Sequence, residues 1–153
     1  MSAKTLIAGI GNIFFGDDGF GSEAARRLMR EPWPQHVRVL DFGIRGFDLT
    51  FALLDGYDTI ILLDATPRGG PAGTLYTIEP DAAILATATP EVEPHSMDPM
   101  RVLAMAQSLG ATWQRLFLVG CEPAPHSVEG IGLSAPVQGA VEQAVDVVRR
   151  LAA

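Results

Sequence analysis

Apolar residues fall in short runs along this chain, separated by segments with helical periodicity. The run at 59–64, TIILLD, is nearly continuous, which is typical of a central strand buried on both faces. The segment at 75–79 alternates apolar and polar residues instead, which predicts an edge strand that can run antiparallel to its neighbour. The remaining predicted strands cover 6–10, 37–41 and 116–121.

Helix-forming segments lie between these strands, at 22–30, 47–54, 99–108 and from 134 to about 151. Asp98 and Pro99 predict a helix start, because aspartate caps the first turn and proline fits the first helical position. Ser134 is placed to cap the last helix in the same way. The alternation predicts an α/β fold over 1–153 as one domain. We expect a three-layer sandwich: a twisted, mostly parallel five-stranded sheet, with one antiparallel edge strand, covered by helices on both faces.

Composition narrows the class of partner. The chain has 153 residues, of which 48% are hydrophobic, enough to bury a real core. Its net charge of −7 argues against nucleic acid and anionic membranes as partners, because both need a basic patch. No apolar stretch reaches membrane-spanning length, and the single cysteine, Cys121, fits a reducing cytoplasm. Without a long heptad seam, we expect a monomer that meets its substrate transiently.

The loop after the first strand, at 9–21, does not match the common nucleotide-binding patterns. A dinucleotide fingerprint needs a third glycine where Phe14 stands, and a P-loop needs a lysine where Asp17 follows Gly16. The neighbouring carboxylates Asp17 and Asp18 would also repel a phosphate. Calcium loops need alternating acids over twelve residues, which this loop lacks. What remains is a loop at a strand end that presents oxygen ligands.

Acidic residues follow four of the predicted strands. Because ligands of α/β sheets bind outside the carboxyl ends of the strands, these acids form the main functional signal. Asp64 ends the most buried strand, where a carboxylate is costly unless it is paired, hydrogen-bonded or bound to a metal. Helix capping or loop anchoring is the alternative for Asp64, and helix capping for Asp17. The set is Asp17 with Asp18, Asp41, Asp64 and Glu122.

Histidine supplies a possible third kind of ligand. His95 lies in a loop between Pro94 and the predicted helix start, and most such histidines are simply solvated. If this loop reaches over the sheet edge, Asp18, Asp64 and His95 give two oxygen ligands and an imidazole, a set that suits nickel or zinc with open positions. The remaining candidates are weaker: His36 and His126 as solvated side chains, and Cys121 as a small apolar residue.

Five motifs in order resemble one known family, and they run nearly from end to end of the chain. They are Gly9-Ile10-Gly11-Asn12 with Asp17-Asp18-Gly19-x-Gly21, Asp41-x-Gly43-x-x-Gly46, Leu63-Asp64-Ala65, Pro94-His95, and Leu118-Val119-Gly120 with Gly132-Leu133-Ser134. In these motifs the chain is similar to the hydrogenase maturation endopeptidases, which trim the C-terminal extension of NiFe-hydrogenase large subunits. In the second motif, Phe42 replaces a glycine that is frequent in the family.

The resemblance implies a peptidase classed with the aspartic endopeptidases, although no Asp-Thr/Ser-Gly pair is present. It implies that Asp18, Asp64 and His95 recognise nickel already inserted in the large-subunit precursor, with no nucleotide involved. A carboxylate, Asp18 or Asp64, would then activate water to hydrolyse one peptide bond, and the sequence does not rank the two. The remaining motif residues are implied as supporting ones: Asp41, Gly11, Asn12 and Asp17.

Other classes of function stay open at this stage. A nickel-binding hydrogenase assembly factor without proteolytic activity needs the same ligands but no water activation. A nucleotide-binding α/β domain is disfavoured by the missing glycine fingerprint, and a nucleotide retained on purification would revive it. A purely structural role is the weakest, because acids at strand ends are costly for a scaffold.

Overall fold

A computed structural model of the chain describes residues 3–81, 97–125 and 130–153. In this part of the chain the strands are β1 (Thr5–Ile10), β2 (Val37–Gly43), β3 (Thr59–Ala65), β4 (Leu75–Ile78) and β5 (Arg115–Cys121). The α-helices are α1 (Phe20–Leu28), α2 (Gly46–Ala52), α3 (Pro99–Ser108) and α4 (Ala135–Ala152). Two short 3-10 turns, Gly16–Gly19 and Leu53–Asp55, precede α1 and follow α2.

The strands form one sheet in the order β2-β1-β3-β5-β4. The first four are parallel and β4 runs antiparallel to β5, which confirms the predicted mixed sheet with one antiparallel edge strand. Gly9 in β1 lies beside Asp41 of β2 and Leu63 of β3, and Asp64 lies beside Gly120 of β5. The carboxyl ends of β1, β2, β3 and β5 therefore share one edge of the sheet.

Helices cover both faces of the sheet, as predicted. Alternate residues of the central strands point to opposite sides, so that Ile61 packs in the core beneath α1 and α4 while Ile60 and Leu62 pack beneath α2 and α3. All three side chains are fully buried. This double coverage explains why β3 is an almost uninterrupted apolar run.

The predicted element boundaries differ from the structure by at most two residues, and the largest shifts are at α1, α2 and the end of β2. β2 extends two residues past Asp41 to Gly43, and β3 includes Asp64 and ends at Ala65. The predicted cap at Asp98 is confirmed, since its Oδ1 accepts a hydrogen bond of 3.0 Å from the backbone N–H of Met100. Within the described ranges, no helix has the length and apolar character needed to cross a bilayer.

Candidate active site

Glycines hold the first loop tightly against the ends of β1 and β3. A Cβ on Gly21 would lie 2.0 Å from the carbonyl oxygen of Leu63 and 2.1 Å from that of Ile10. At Gly11, with φ of +150°, a Cβ would lie 2.1 Å from the carbonyl oxygen of Asp18. Only glycine allows backbones to approach this closely. The start of α1 and the turn before it are therefore pressed onto the sheet edge.

Asp17 is fully buried and joins the first loop to the C-terminal part of the chain. Its Oδ1 accepts a hydrogen bond from the backbone N–H of Ser134 at 2.7 Å. Its Oδ2 accepts from the Ser134 hydroxyl and from the backbone N–H of Ala124, each at 2.8 Å. Asp17 itself lies inside the 3-10 turn, and the N-cap position of α1 is occupied by Gly19. These donors stabilise a buried carboxylate that would otherwise be costly.

Asp18 is exposed, unlike its neighbour. Its Oδ2 accepts a hydrogen bond of 2.9 Å from the backbone N–H of Asn12. The Oδ1 of Asn12 in turn accepts one of 3.0 Å from the backbone N–H of Phe14, which braces the turn. The carboxylate of Asp18 is thus accessible to solvent but fixed at one end by a rigid loop.

Asp64 lies within reach of the charge on Asp18. Burial raises the pKa of Asp64 well above its ordinary value, and the negative charges of Asp18 and Asp98 raise it further. A hydrogen bond with the backbone of Ala65 acts in the opposite direction by favouring the charged form. The structure therefore brings together two acids, Asp18 and Asp64, that are separated by 46 positions in the sequence.

Sequence reasoning placed Asp98 only as a helix cap, and its effect on Asp64 was missed. The signal available was its position directly after the histidine loop, at the start of a helix that packs on the same sheet. The charge of Asp98 raises the pKa of Asp64. Asp98, one residue after the point where the described chain resumes, therefore lies near the acidic pair. His95, the third candidate ligand, lies outside the described residues, as does His126.

A metal-binding cluster is not complete in the described ranges. Among residues 3–81, 97–125 and 130–153, no group of three or more histidine, cysteine, aspartate or glutamate side chains is placed to hold a metal ion. Two of the three candidate ligands, Asp18 and Asp64, are described. They are oxygen donors whose mutual repulsion a divalent cation would relieve, so their chemistry suits a divalent metal ion.

Asp41 connects the end of β2 to α1. Its Oδ2 accepts a hydrogen bond of 3.0 Å from Nε of Arg26, and its Oδ1 accepts one of 3.0 Å from the backbone N–H of Gly43. Gly43 adopts a φ of +58°, and its carbonyl accepts a hydrogen bond of 3.0 Å from the backbone N–H of Gly11. The loops after β1 and β2 are therefore tied together. No sequence signal identified Arg26 as the partner of Asp41.

A groove of about 280 Å³ opens between these two loops. One wall is the first loop, with Asn12 and Phe14, and the other is the loop after β2, with Ile44 and Arg45. The Arg26–Asp41 ion pair and Ser22 complete the lining. Asn12 lines the groove and also donates its backbone N–H to the carboxylate of Asp18, so the groove borders the loop that presents Asp18.

Glu122, the acid that follows β5, is buried and has a structural role. Its Oε1 accepts hydrogen bonds from the backbone N–H groups of Arg68 and Gly70 and from the Tyr76 hydroxyl, at 2.8, 3.0 and 2.7 Å. The hydrogen bond from Tyr76 is the main reason that the pKa of Glu122 is lowered. Glu122 thus anchors the loop between β3 and β4.

Cys121 is buried beside Glu122, as the sequence suggested. Burial raises the pKa of its thiol to about 12, and the charges of Asp17 and Glu122 contribute to the rise. A thiol in this environment is not a nucleophile at neutral pH.

The chain is similar to known proteins over most of its length. The sequence profile of the HycI hydrogenase maturation proteases matches residues 23–151. The hydrogenase expression/formation protein HupD of Rhodobacter capsulatus is 32% identical over 152 residues, which cover 98% of this chain and 72% of HupD. A putative hydrogenase maturation protease of Methanocaldococcus jannaschii is 30% identical, over 94% of this chain and 92% of its own.

Solved structures are similar over the same extent. The hydrogenase maturating endopeptidase HybD from E. coli superimposes with a TM-score of 0.79 at 29% identity, over 95% of this chain and 89% of that protein. A hydrogenase 2 maturation peptidase from a Thaumarchaeota archaeon superimposes with a TM-score of 0.73 at 30% identity, over 96% of each chain.

Proposed function

Because this chain belongs to the hydrogenase maturation protease family, and is therefore a peptidase that acts on a hydrogenase precursor, we propose that it removes the C-terminal extension of a nickel-loaded NiFe-hydrogenase large subunit. The observation that carries this proposal is the acidic pair at the sheet edge. Asp18 comes from the loop after β1 and Asp64 from the end of β3, and the two lie close enough to interact electrostatically.

Recognition of nickel would rest on this pair together with His95. Two carboxylates that repel each other are stabilised when a cation lies between them, and nickel accepts oxygen and imidazole ligands together. The nickel belongs to the precursor and is part of the substrate. Its presence at the pair would hold the adjacent peptide bond near the carboxylates, so that cleavage depends on complete assembly.

The chain itself supplies the proton acceptor and the binding surface for the peptide. Asp18 or Asp64 can take the proton from an attacking water molecule as the general base. The groove between the first loop and the loop after β2 is suited to an extended peptide segment, since one wall carries Phe14 and the other Ile44. Asp41, Gly11, Asn12 and Asp17 act as supporting residues that fix the two loops. No nucleotide takes part.

The test is cleavage of the purified large-subunit precursor, with and without inserted nickel, followed as a mobility shift and by mass spectrometry. Wild-type protein should shorten only the nickel-loaded precursor, and Asp18→Asn, Asp64→Asn and His95→Ala should each lose this activity. The matched control is Asp146→Asn on the exposed face of α4, which removes one carboxylate far from the sheet edge and should cleave normally.

Two other results would change the conclusion. If wild-type protein binds the loaded precursor but never shortens it, the chain is a nickel-dependent assembly factor without proteolytic activity. If shortening survives all three substitutions, cleavage is real but the assigned residues are wrong. Sedimentation of the purified protein tests the accompanying expectation of a monomer.

A further inference from the structure

An exposed apolar stripe runs along α2 and the 3-10 turn that continues it. Phe47, Phe51 and Leu54 have 50%, 59% and 39% of their surface exposed. Their spacing of four and three residues places them on one side of the helix. Leu49 and Leu53 occupy the other side and are buried in the core beneath the sheet. The helix therefore carries apolar side chains on both sides, although only one of these sides packs against the core of the protein.

The stripe begins at the rim of the groove. Ile44 and Arg45 line the groove, and Phe47 follows two residues later in the first turn of α2. The connection is rigid, because Nε of Arg45 donates a hydrogen bond of 3.1 Å to the carbonyl of Phe42, and its guanidinium lies 3.4 Å from the carboxylate of Asp48. A polypeptide that leaves the groove on this side would meet the stripe directly.

We infer that this stripe, Phe47–Phe51–Leu54, is a docking surface for an apolar patch on the folded hydrogenase precursor, outside the segment that is cut. The inference rests on the proposed function, since the groove supplies the continuity between peptide and stripe. A second copy of this chain is a poorer occupant. The three side chains offer roughly 300 Å², whereas a stable dimer buries about 800 Å² on each partner.

The chemistry of the stripe fits a transient contact that adds to binding in the groove. Phenylalanine supplies a large apolar area with few rotatable bonds, so that little conformational entropy is lost on docking. Such a contact does not depend on charge, so raising the ionic strength should leave its contribution unchanged. It would hold the precursor while the scissile segment enters the groove.

The experiment compares wild-type protein with Phe47→Ser/Phe51→Ser, and with Met29→Ser as a control. Met29 is 45% exposed but lies at the end of α1, on the opposite face of the sheet. With nickel-loaded precursor, the double variant should raise KM by about tenfold or more, because it removes two large apolar side chains from the proposed contact. The kcat at saturation should be unchanged, and Met29→Ser should match wild type. Leu54→Ser is a second, milder variant, and equal thermal midpoints show that all variants are folded.

Each outcome separates this inference from the proposed function. If the precursor is cut but the double variant and Leu54→Ser both keep the wild-type KM, the stripe is not a docking surface. If wild-type protein does not cut, its Kd for the precursor is compared with that of the double variant. A weaker Kd then supports docking while proteolysis fails. If the variants instead dissociate a wild-type dimer and keep the same affinity for precursor, the stripe joins two copies and the inference is overturned.

Discussion

The carboxylate of Asp17 accepts hydrogen bonds from both the backbone N–H and the hydroxyl of Ser134, a residue 117 positions further along the chain. The next residue, Asp18, is exposed and lies near Asp64. Two neighbouring aspartates thus have different tasks, since one fixes the loop and the other is presented by it. Substitutions at the two positions should therefore give different phenotypes.

Replacement of Asp17 by alanine should destabilise the whole protein. The change leaves the backbone N–H groups of Ala124 and Ser134 without their acceptor, and hydrogen bonds to a charged group are worth about 1.5–3 kcal/mol each. We expect a loss of about 3 kcal/mol or more in the free energy of unfolding, measured with urea. Ser134→Ala keeps the bond from the backbone N–H to Asp17 and loses only the bond from the hydroxyl, so it should cost about 1.5 kcal/mol. Equal losses in the free energy of unfolding for Asp17→Ala and Ser134→Ala would show that the bonds from the backbone N–H groups add nothing.

Gly21 and Gly139 should respond to alanine in opposite directions. Both are helical, but a Cβ on Gly21 would overlap the carbonyl oxygens of Leu63 and Ile10, whereas one on Gly139 would meet nothing within 4 Å. Gly21→Ala should cost about 1–3 kcal/mol or more through overpacking. Gly139→Ala should stabilise by up to about 1 kcal/mol through helix propensity. Thermal unfolding checks both, and a neutral Gly21→Ala would mean that α1 can shift away from the sheet.

Asp64→Asn should increase stability at neutral pH while removing cleavage. The pKa of Asp64 is raised in the folded state, so the native protein binds more protons than the unfolded chain between the two pKa values. Stability therefore falls as the pH rises through this window, and the charged form is unfavourable above it. Asparagine does not titrate and avoids this cost. Thermal midpoints of the variant and wild type should differ most near about pH 7 and converge below about pH 4.

Asp146→Asn is the control for that pH series, because its carboxylate is on the surface of α4. Its thermal midpoint should follow wild type at every pH. An Asp64→Asn protein that is less stable than wild type at neutral pH would show that the charged carboxylate is favourably paired in the fold.

Cys121 should resist alkylation in the native protein. Its thiol is 1% exposed, and burial together with nearby negative charge raises its pKa to about 12. Iodoacetamide at mildly alkaline pH should modify the thiol only after denaturant is added, as followed by mass spectrometry. Rapid modification of the native protein would contradict the buried position of β5 and would reopen a role for the thiol.

The sheet could be predicted from the sequence because its rules are local and periodic. The continuous apolar run of β3 indicates coverage on both faces, and the alternation in β4 indicates an edge. The helix cap at Asp98 could be predicted because aspartate followed by proline is a local signal for a helix start. The sequence predicts the ends of β2 and β3 less well. At these ends the backbone is held by loop contacts, which side-chain periodicity does not reveal.

The site was predicted only in part, because acids at strand ends look alike in sequence. Asp17, Asp64 and Glu122 all follow apolar runs, yet Asp17 and Glu122 are satisfied by hydrogen bonds from distant residues. These partners depend on where remote loops fold, which no local pattern encodes. The assignment of Asp18, Asp64 and His95 to nickel came from the family resemblance, and it stays a prediction.

The hydrogen bonds that Asp17 accepts from Ala124 and Ser134 can form only after these later residues have been synthesised. The loop that presents Asp18 is synthesised before the two donors that fix Asp17, which lie 107 and 117 residues further along the chain. A fragment that ends before Ala124 should leave this loop open to limited proteolysis, whereas the full chain should protect it. We therefore expect the loop to become fixed, and the protein to become able to cleave, only once Ser134 has been made and has folded back onto Asp17.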